Sequence, residues 1–175
     1  MGEKVKTGDV MIALHKRARR ELSDLANAQP FYRMVALGAK PGEGFRVQPA
    51  ALRQGDPRKG AHIKAGRFTL CGETIQVDAG ESVWNRPAPS RRFAEALHGF
   101  TWLKDLLALP DAEEPLAAAH ILLDDWIGQF GGWNWFAWGP PIVAARLKAL
   151  VAAGPALFAD EDPVVEARRL QMLGR

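Results

Sequence analysis

The sequence Gly131-Gly132-Trp133-Asn134-Trp135-Phe136-Ala137-Trp138 closes the part of the chain that decides its fold. This part covers residues 84–138 and contains all six tryptophans of the 175-residue chain. Large aromatic side chains dominate the energetics of protein cores. Residues 84–138 are therefore predicted to hold the core, with two helices running as an antiparallel pair.

Four helices are predicted in and after this segment, from apolar residues at helical spacing and from the residues at the helix ends. The first is expected over residues 91–109, and Gly99 in its middle marks a bend or a close approach of another backbone. Short joints rich in Gly and Pro predict consecutive helical hairpins. The residues that open these helices are Ser90, Pro115, Pro140 and Pro163.

Upstream of the tryptophans, residues 66–78 alternate apolar and polar side chains around Cys71-Gly72-Glu73, which predicts a small β-hairpin. Residues 38–60 are predicted to be loop-like. Residues 8–28 form an amphipathic basic helix, whose apolar face favours packing on its own domain over a membrane or nucleic acid. The chain is thus divided into a basic helix and loop region, residues 1–65, and a region of hairpin and helices, residues 66–175.

Charge is distributed unevenly along the chain, although the net charge is only +3. Residues 1–67 contain 14 Lys/Arg and 6 Asp/Glu, whereas residues 68–175 contain 9 and 14. The basic half either covers solvated faces or attracts a polyanion. Cys71 is the one cysteine, which excludes an intrachain disulfide. The sequence shows no export signal and no membrane span, so it is typical of a cytoplasmic protein.

The histidines show no metal-ligand spacing and no nucleophile–base set can be named, so we expect no metal site, no cofactor and no catalytic residue in this chain. His98 is either a structural histidine or part of a site, since it lies one helical turn from Phe93 and Trp102. The aromatic cluster also has two interpretations. Its side chains either pack in the core at the end of a helical pair or form a stacking surface for sugars or bases. The candidate binding residues are His98, Trp133, Asn134, Trp135 and Trp138.

Several motifs together resemble the N-terminal part of heparinase II/III-like proteins of the alphaproteobacterial type. The resemblance covers about residues 10–175 and depends on the order and spacing of the motifs. They include Gly55-Asp56-Pro57, Gly66-Arg67-Phe68-Thr69-Leu70-Cys71-Gly72-Glu73-Thr74, Trp84-Asn85-Arg86-Pro87-Ala88-Pro89-Ser90 with its continuation to Leu106, Trp138-Gly139-Pro140 and Ala145-Arg146-Leu147.

The resemblance implies a polysaccharide lyase architecture: helical hairpins of an incomplete α/α toroid, followed by a C-terminal β-sandwich domain that this chain lacks. It also implies β-elimination on a uronic-acid polysaccharide, with catalytic residues outside this chain and an anionic polysaccharide as partner. A periplasmic or envelope location would follow from the family. The chain is then expected to be an N-terminal piece that is inactive alone.

Two other functions remain open from the residues. The first is a non-catalytic helical module that binds carbohydrate or another protein through Trp133, Trp135 and Trp138. The second is a nucleic-acid-binding module that uses the helix at residues 8–28. The second ranks last because no known nucleic-acid-reading motif is present, and we expect no nucleic acid among the partners.

Overall fold

The computed structural model describes residues 18–19, 21–22 and 54–173, and in this part the protein is mainly helical with one two-stranded antiparallel sheet. This confirms the predicted fold class, mainly helical with a small β-hairpin. The elements are α1 (Pro57–Lys64), β1 (Arg67–Leu70), β2 (Glu73–Gln76), α2 (Arg91–His98), α3 (Leu103–Leu106), α4 (Glu113–Phe130), α5 (Pro140–Ala153) and α6 (Pro163–Leu170). Short 3₁₀ helices lie at Val83–Asn85 and Pro155–Leu157.

Most of the predicted basic helix lies outside the described residues. Residues 18–19 and 21–22 are helical and exposed, and Leu22 on the predicted apolar face is 67% exposed. The part of the predicted loop before residue 54 also lies outside them. In the described residues, no helix combines the length and the apolar character that crossing a bilayer requires.

The β-hairpin forms where it was predicted, with Phe68 paired to Ile75 in an antiparallel register. Cys71 and Gly72 form its two-residue turn with φ values of 55° and 86°. Two successive positive φ values match the right-handed twist of the strands, which explains why glycine occupies one of these positions. The buried Phe68 ring meets the edge of Trp102 with 5.8 Å between ring centres, and this contact docks the hairpin on the helices.

Helix α1 corrects the prediction that residues 38–60 are loop-like, because it begins at Pro57. Asp56 caps it through its own side chain, and an Asp-Pro pair is the expected opening of a helix. The Oδ1 atom of Asp105 accepts a hydrogen bond from the Asp56 amide at 2.8 Å. At Gly60 an added Cβ would overlap the carbonyl oxygen of Asp105, so α1 touches the backbone of α3.

The single helix predicted over residues 91–109 is wrong, because the structure breaks it into α2 and α3. Ser90 caps α2 as predicted, and Gly99 ends it. Phe100 then takes φ of 52°, a conformation unfavourable for a side-chain residue. Burial of the Phe100 ring offsets this strain, and the indole of Trp102 donates to the Leu97 carbonyl at 3.1 Å across the break. A Cβ at Gly99 would lie 3.0 Å from the Cβ of Ala145, so α5 crosses close to this point.

Helix α5 has the predicted ends, Pro140 and Gly154, but a different inner face. We expected Val143, Leu147, Leu150 and Val151 to point inward. Leu150 is buried as expected, but Ile142 and Arg146 are buried where the other three expected residues are only half-buried. The difference arises because an arginine, a residue type that is almost never fully buried unless paired, occupies the middle of the buried face.

Helix α6 is held on α4 by a buried arginine, Arg169, which is 3% exposed. Its Nε and Nη2 atoms donate to the two carboxylate oxygens of Asp124 at 2.9 and 2.6 Å. Its Nη1 atom lies 3.0 Å from Asp160 in the loop before the helix. The side chain of Asp162 caps α6, as its position before Pro163 predicts.

Candidate functional site

The aromatic loop, residues 131–139, connects α4 to α5 and is organised by Asn134. The side-chain oxygen of Asn134 accepts hydrogen bonds from the amides of Phe136 and Ala137 at 3.0 and 2.9 Å. These bonds fold the loop into a compact turn, as Asn side chains commonly do in turns. Asn134 was a candidate binding residue, and the structure shows its side-chain oxygen engaged with its own backbone.

Trp138 closes the aromatic loop onto the end of α4. Its indole is buried, and the Nε1 atom lies 2.8 Å from the carbonyl oxygens of both Phe130 and Gly132. A helix end leaves carbonyl groups without intrahelical partners, and this indole satisfies one of them. The structure therefore places Trp138 in the core, where its ring meets that of Trp126 at 5.9 Å.

Arg146 lies between these two tryptophans and is 1% exposed. Its guanidinium carbon is 4.4 Å from the centre of the Trp126 ring and 4.8 Å from that of Trp138. The Nη1 atom donates to the carbonyl oxygens of Ala137 at 2.8 Å and His98 at 3.4 Å. Within residues 54–173 no carboxylate forms an ion pair with it, and burial lowers the pKa of Arg146 to about 9.

His98 completes this buried cluster from the end of α2. Its Nδ1 atom accepts a hydrogen bond from the Trp126 indole at 3.0 Å, which requires the neutral ring. The edges of Phe130 and Phe136 pack around it, with ring centres 4.7 and 5.6 Å away. Burial, and then the charge of Arg146, lower the pKa of His98 to about 4. Its proton-accepting atom is thus engaged in holding Trp126.

Trp135 differs from the other candidates because it points outward and is 46% exposed. Its ring meets Phe136 edge-on at 5.9 Å, and the guanidinium of Arg91 lies 5.6 Å from the centre of Phe136. We call these three residues the Trp135 surface. Trp133 is half-buried and packs against the core. The aromatic loop therefore presents Trp135 to solvent, buries Trp138 and leaves Trp133 and Phe136 half-buried.

A cleft of about 280 Å³ opens between the end of α4 and α6. We call it the glycine cleft, because three of its lining residues are glycines. The sequence analysis did not find it, since its walls come from segments about 40 residues apart. Its lining residues are Trp126, Ile127, Gly128, Gly131, Gly132, Trp138, Arg168, Gln171 and Met172.

A second, more open cleft of about 460 Å³ lies between α1 and the start of α4, lined by residues such as Ala61, Leu109 and Pro115. Lys64 and Glu114 form an ion pair at its rim. In the described part of the chain, no three His, Cys, Asp or Glu side chains are grouped so that they could hold a metal ion.

Comparison with known proteins identifies a relative. Over 119 residues the chain is 39% identical to FtsZ-localized protein C of Caulobacter vibrioides (strain NA1000 / CB15N). The match covers 67% of this chain and 20% of that protein, so the chain spans about a fifth of the length of this relative. No protein-family model matches the chain. No solved structure matches it either.

These findings correct the resemblance to heparinase II/III-like proteins. No model of that family matches, and the relative that does match carries the name of a protein localised to FtsZ. The predicted lyase function and the anionic polysaccharide partner are wrong on the same grounds. The binding roles of His98, Trp133, Asn134, Trp135 and Trp138 stay predictions. The motifs are not specific to that family, because Trp, Pro and Gly mark helix ends and packing contacts in any helical protein. In this structure most of these residues lie at such positions.

Proposed function

We propose that this chain is a protein-interaction module that localises to FtsZ. The observation that carries the proposal is the 39% identity with FtsZ-localized protein C over 119 residues. That match includes two thirds of the chain, which is more than the residues outside the described part, so it extends into the helical body. The helical body is therefore expected to take part in the localisation. We take the partner to be a protein, and FtsZ itself to be the direct contact.

The Trp135 surface supports an interaction with another protein. Tryptophan and arginine are the residues most enriched among those that dominate binding energy at protein interfaces. Trp135 is held by the turn that Asn134 organises, so little conformational entropy would be lost when a partner covers it. The fold alone offers no reason for an exposed indole at this position, because its neighbours already fill the core.

The direct test is co-sedimentation of the purified chain with assembled FtsZ of Caulobacter vibrioides. We expect the chain to pellet with FtsZ polymers and to stay in solution when FtsZ is unassembled or is replaced by actin filaments. A fluorescent fusion of the chain should also follow the position of FtsZ in cells. Failure of the purified chain to pellet above the actin background would contradict direct binding.

We also keep the incomplete α/α toroid as a proposal about the fold. Helices α4 and α5 are joined by residues 131–139, and α5 and α6 by a segment that contains the 3₁₀ helix Pro155–Leu157. Short joints of this kind are compatible with successive helical hairpins. An experimental structure of a longer protein containing this chain would test it, since a toroid requires alternating inner and outer helices.

A further inference from the structure

We propose that the chain associates with a second copy of itself, with the basic segment of one copy lying on the outer face of α4 in the other. The basic segment is residues 16–22. The outer face of α4 consists of Glu113, Ala117, Ile121, Asp124 and Gly128. The inference does not depend on the proposed function, because both surfaces belong to this chain.

Ile121 is the apolar centre of the outer face of α4 and is 71% exposed. The positions of this face are three or four residues apart, so they share one side of the helix. Ala117 and Gly128 on either side are small and exposed, and they do not cover the isoleucine. An exposed isoleucine adds little to the core, and it favours a helix less than Ala, Glu or Lys does. An apolar contact with another protein molecule gives this side chain a role.

The surroundings of Ile121 are acidic. Residues 105–145 contain six Asp/Glu and no Lys/Arg. Arg169 holds α6 against Asp124, which brings a second acidic segment next to α4. The carboxylates of that segment are those of Asp160, Glu161, Asp162 and Glu166. Arg169 pairs with only two carboxylates of this region, and Glu113 is exposed and forms no ion pair within residues 54–173. A partner of this face should therefore combine positive charge with an apolar side chain.

The basic segment has this combination. Four of its seven residues are Lys or Arg. Ala18 and Leu22 are one helical turn apart, so they form an apolar edge beside the charges. Ala18, Arg19 and Leu22 are exposed, and Leu22 is 67% exposed, so the described part of the chain does not cover this edge. The outer face of α4 in a second copy supplies both the apolar contact and the opposite charge.

The two surfaces are different parts of the chain, so the contact is heterologous, that is, head to tail. Each copy in a pair keeps one basic segment and one outer face of α4 free for further copies. Self-association should therefore grow with concentration instead of stopping at a closed dimer. Since exposed charges contribute to the contact, salt should weaken it.

Sedimentation velocity of the 175-residue chain tests the association directly. At low salt we expect the average sedimentation coefficient to rise with protein concentration from micromolar to millimolar. In about 1 M NaCl, where charges are screened beyond about 3 Å, the rise should be strongly reduced. A chain that stays monomeric at low salt over this whole range would overturn the proposal.

Two variants test the head-to-tail arrangement. L22S and I121S each shorten an exposed side chain, so both should fold, and each should associate with itself about ten-fold or more weakly. Mixed in equal amounts, they should recover a one-to-one dimer, because L22S retains the outer face of α4 and I121S retains the basic segment. Normal self-association of either variant would overturn the proposal, and so would a mixture that remains monomeric.

The control variant W135A changes an exposed aromatic side chain outside both surfaces and should associate with itself as the unmodified chain does. Loss of self-association in W135A would place the contact at the aromatic loop and overturn the proposal. The experiment contains no FtsZ, so a failure of the chain to bind FtsZ would contradict the proposed function and leave this result unchanged.

Discussion

The guanidinium carbon of Arg146 stands 4.4 Å from the centre of the Trp126 ring, and Trp138 covers it from 4.8 Å. The negative faces of two indoles stabilise a cation that has lost its water shell. Two backbone carbonyls accept from its Nη1 atom, one on α2 and one in the aromatic loop. A single side chain of α5 thereby joins three separate parts of the core.

Replacing Arg146 should destabilise the protein even when the side-chain volume is retained. R146M leaves two carbonyl oxygens without a donor, and we expect a loss of about 2–4 kcal/mol in the free energy of unfolding. R146K retains the charge but lacks the planar group that stacks on both rings, so it should also lose more than about 1 kcal/mol. Urea unfolding followed by circular dichroism measures both. An R146M stability within about 0.5 kcal/mol of the unmodified chain would contradict this role.

Stability should fall between neutral and mildly acidic pH because of His98. The pKa of this side chain is about 4 in the folded protein and 6.5 in the unfolded chain. As the pH falls through this window the unfolded state takes up a proton that the folded state does not, so protonation favours unfolding. From pH 7.5 to pH 5 the expected loss is about 2 kcal/mol.

The pH-dependent part of this loss should shrink in H98Q, since glutamine can still accept from the Trp126 indole but does not titrate. Equal pH dependence in H98Q and the unmodified chain would show that groups other than His98 cause the loss of stability.

Two helical glycines should respond to alanine with opposite signs. G60A places a Cβ against the Asp105 carbonyl oxygen, a backbone atom that cannot move alone, and should destabilise the protein by about 1–3 kcal/mol. G128A meets nothing within 4 Å and should stabilise α4 by up to about 1 kcal/mol. Thermal and urea unfolding of the pair provides the comparison, and a shared sign would contradict the structure at one of the two sites.

Loss of Arg169 should release α6 from the rest of the protein. R169M removes the bidentate contact with Asp124, whose side chain is partly exposed, so water can replace part of the lost interaction and we expect a cost of about 1–3 kcal/mol. Hydrogen exchange should therefore accelerate in residues 163–170 far more than in the middle of α4. R168M at the exposed neighbouring position should leave exchange unchanged, and equal acceleration in both helices would indicate global destabilisation instead.

The Trp135 surface allows binding to be separated from folding. W135A removes an exposed indole, so the unfolding free energy should change by less than about 0.5 kcal/mol. FtsZ binding should weaken by at least about ten-fold if the indole lies at the centre of the contact. W126A is the contrasting variant, because it removes a large buried side chain from the core and should unfold the protein. Unaltered FtsZ binding by W135A would show that the contact with FtsZ lies elsewhere on the surface.

The sequence predicts most local structure because the relevant signals are local. Ser90 and Asp162 cap helices at the predicted positions, the two-residue turn at Cys71 sets the hairpin, and Gly154 ends α5. Gly99 predicted a bend or a close approach, but the full break after His98 could not be predicted, since it depends on the positive φ of Phe100 and the burial of its ring. Helix α1 was missed although Asp56-Pro57 is an opening signal, because the glycines around it favoured a loop.

The site was harder to predict because it depends on contacts between distant parts of the chain. His98 and Trp126 are 28 residues apart, and Arg146 lies 48 residues from His98. Nothing in the local pattern indicates that an arginine would replace an aliphatic residue in the core. Trp133 and Trp135 lie two residues apart, a spacing that does not predict their different exposure, and the structure has Trp133 half-buried and Trp135 exposed.

The unequal burial of the tryptophans gives the protein an internal optical label. Trp84, Trp102, Trp126 and Trp138 are buried, so their fluorescence belongs to the short-wavelength side of the emission band, whereas Trp135 in water emits on the long-wavelength side. Emission detected at the long-wavelength edge is therefore weighted toward Trp135, with a smaller contribution from the half-buried Trp133, and no chemical modification is needed. Quenching by iodide at that edge would report mainly the accessibility of the aromatic loop, while the short-wavelength emission follows the integrity of the core.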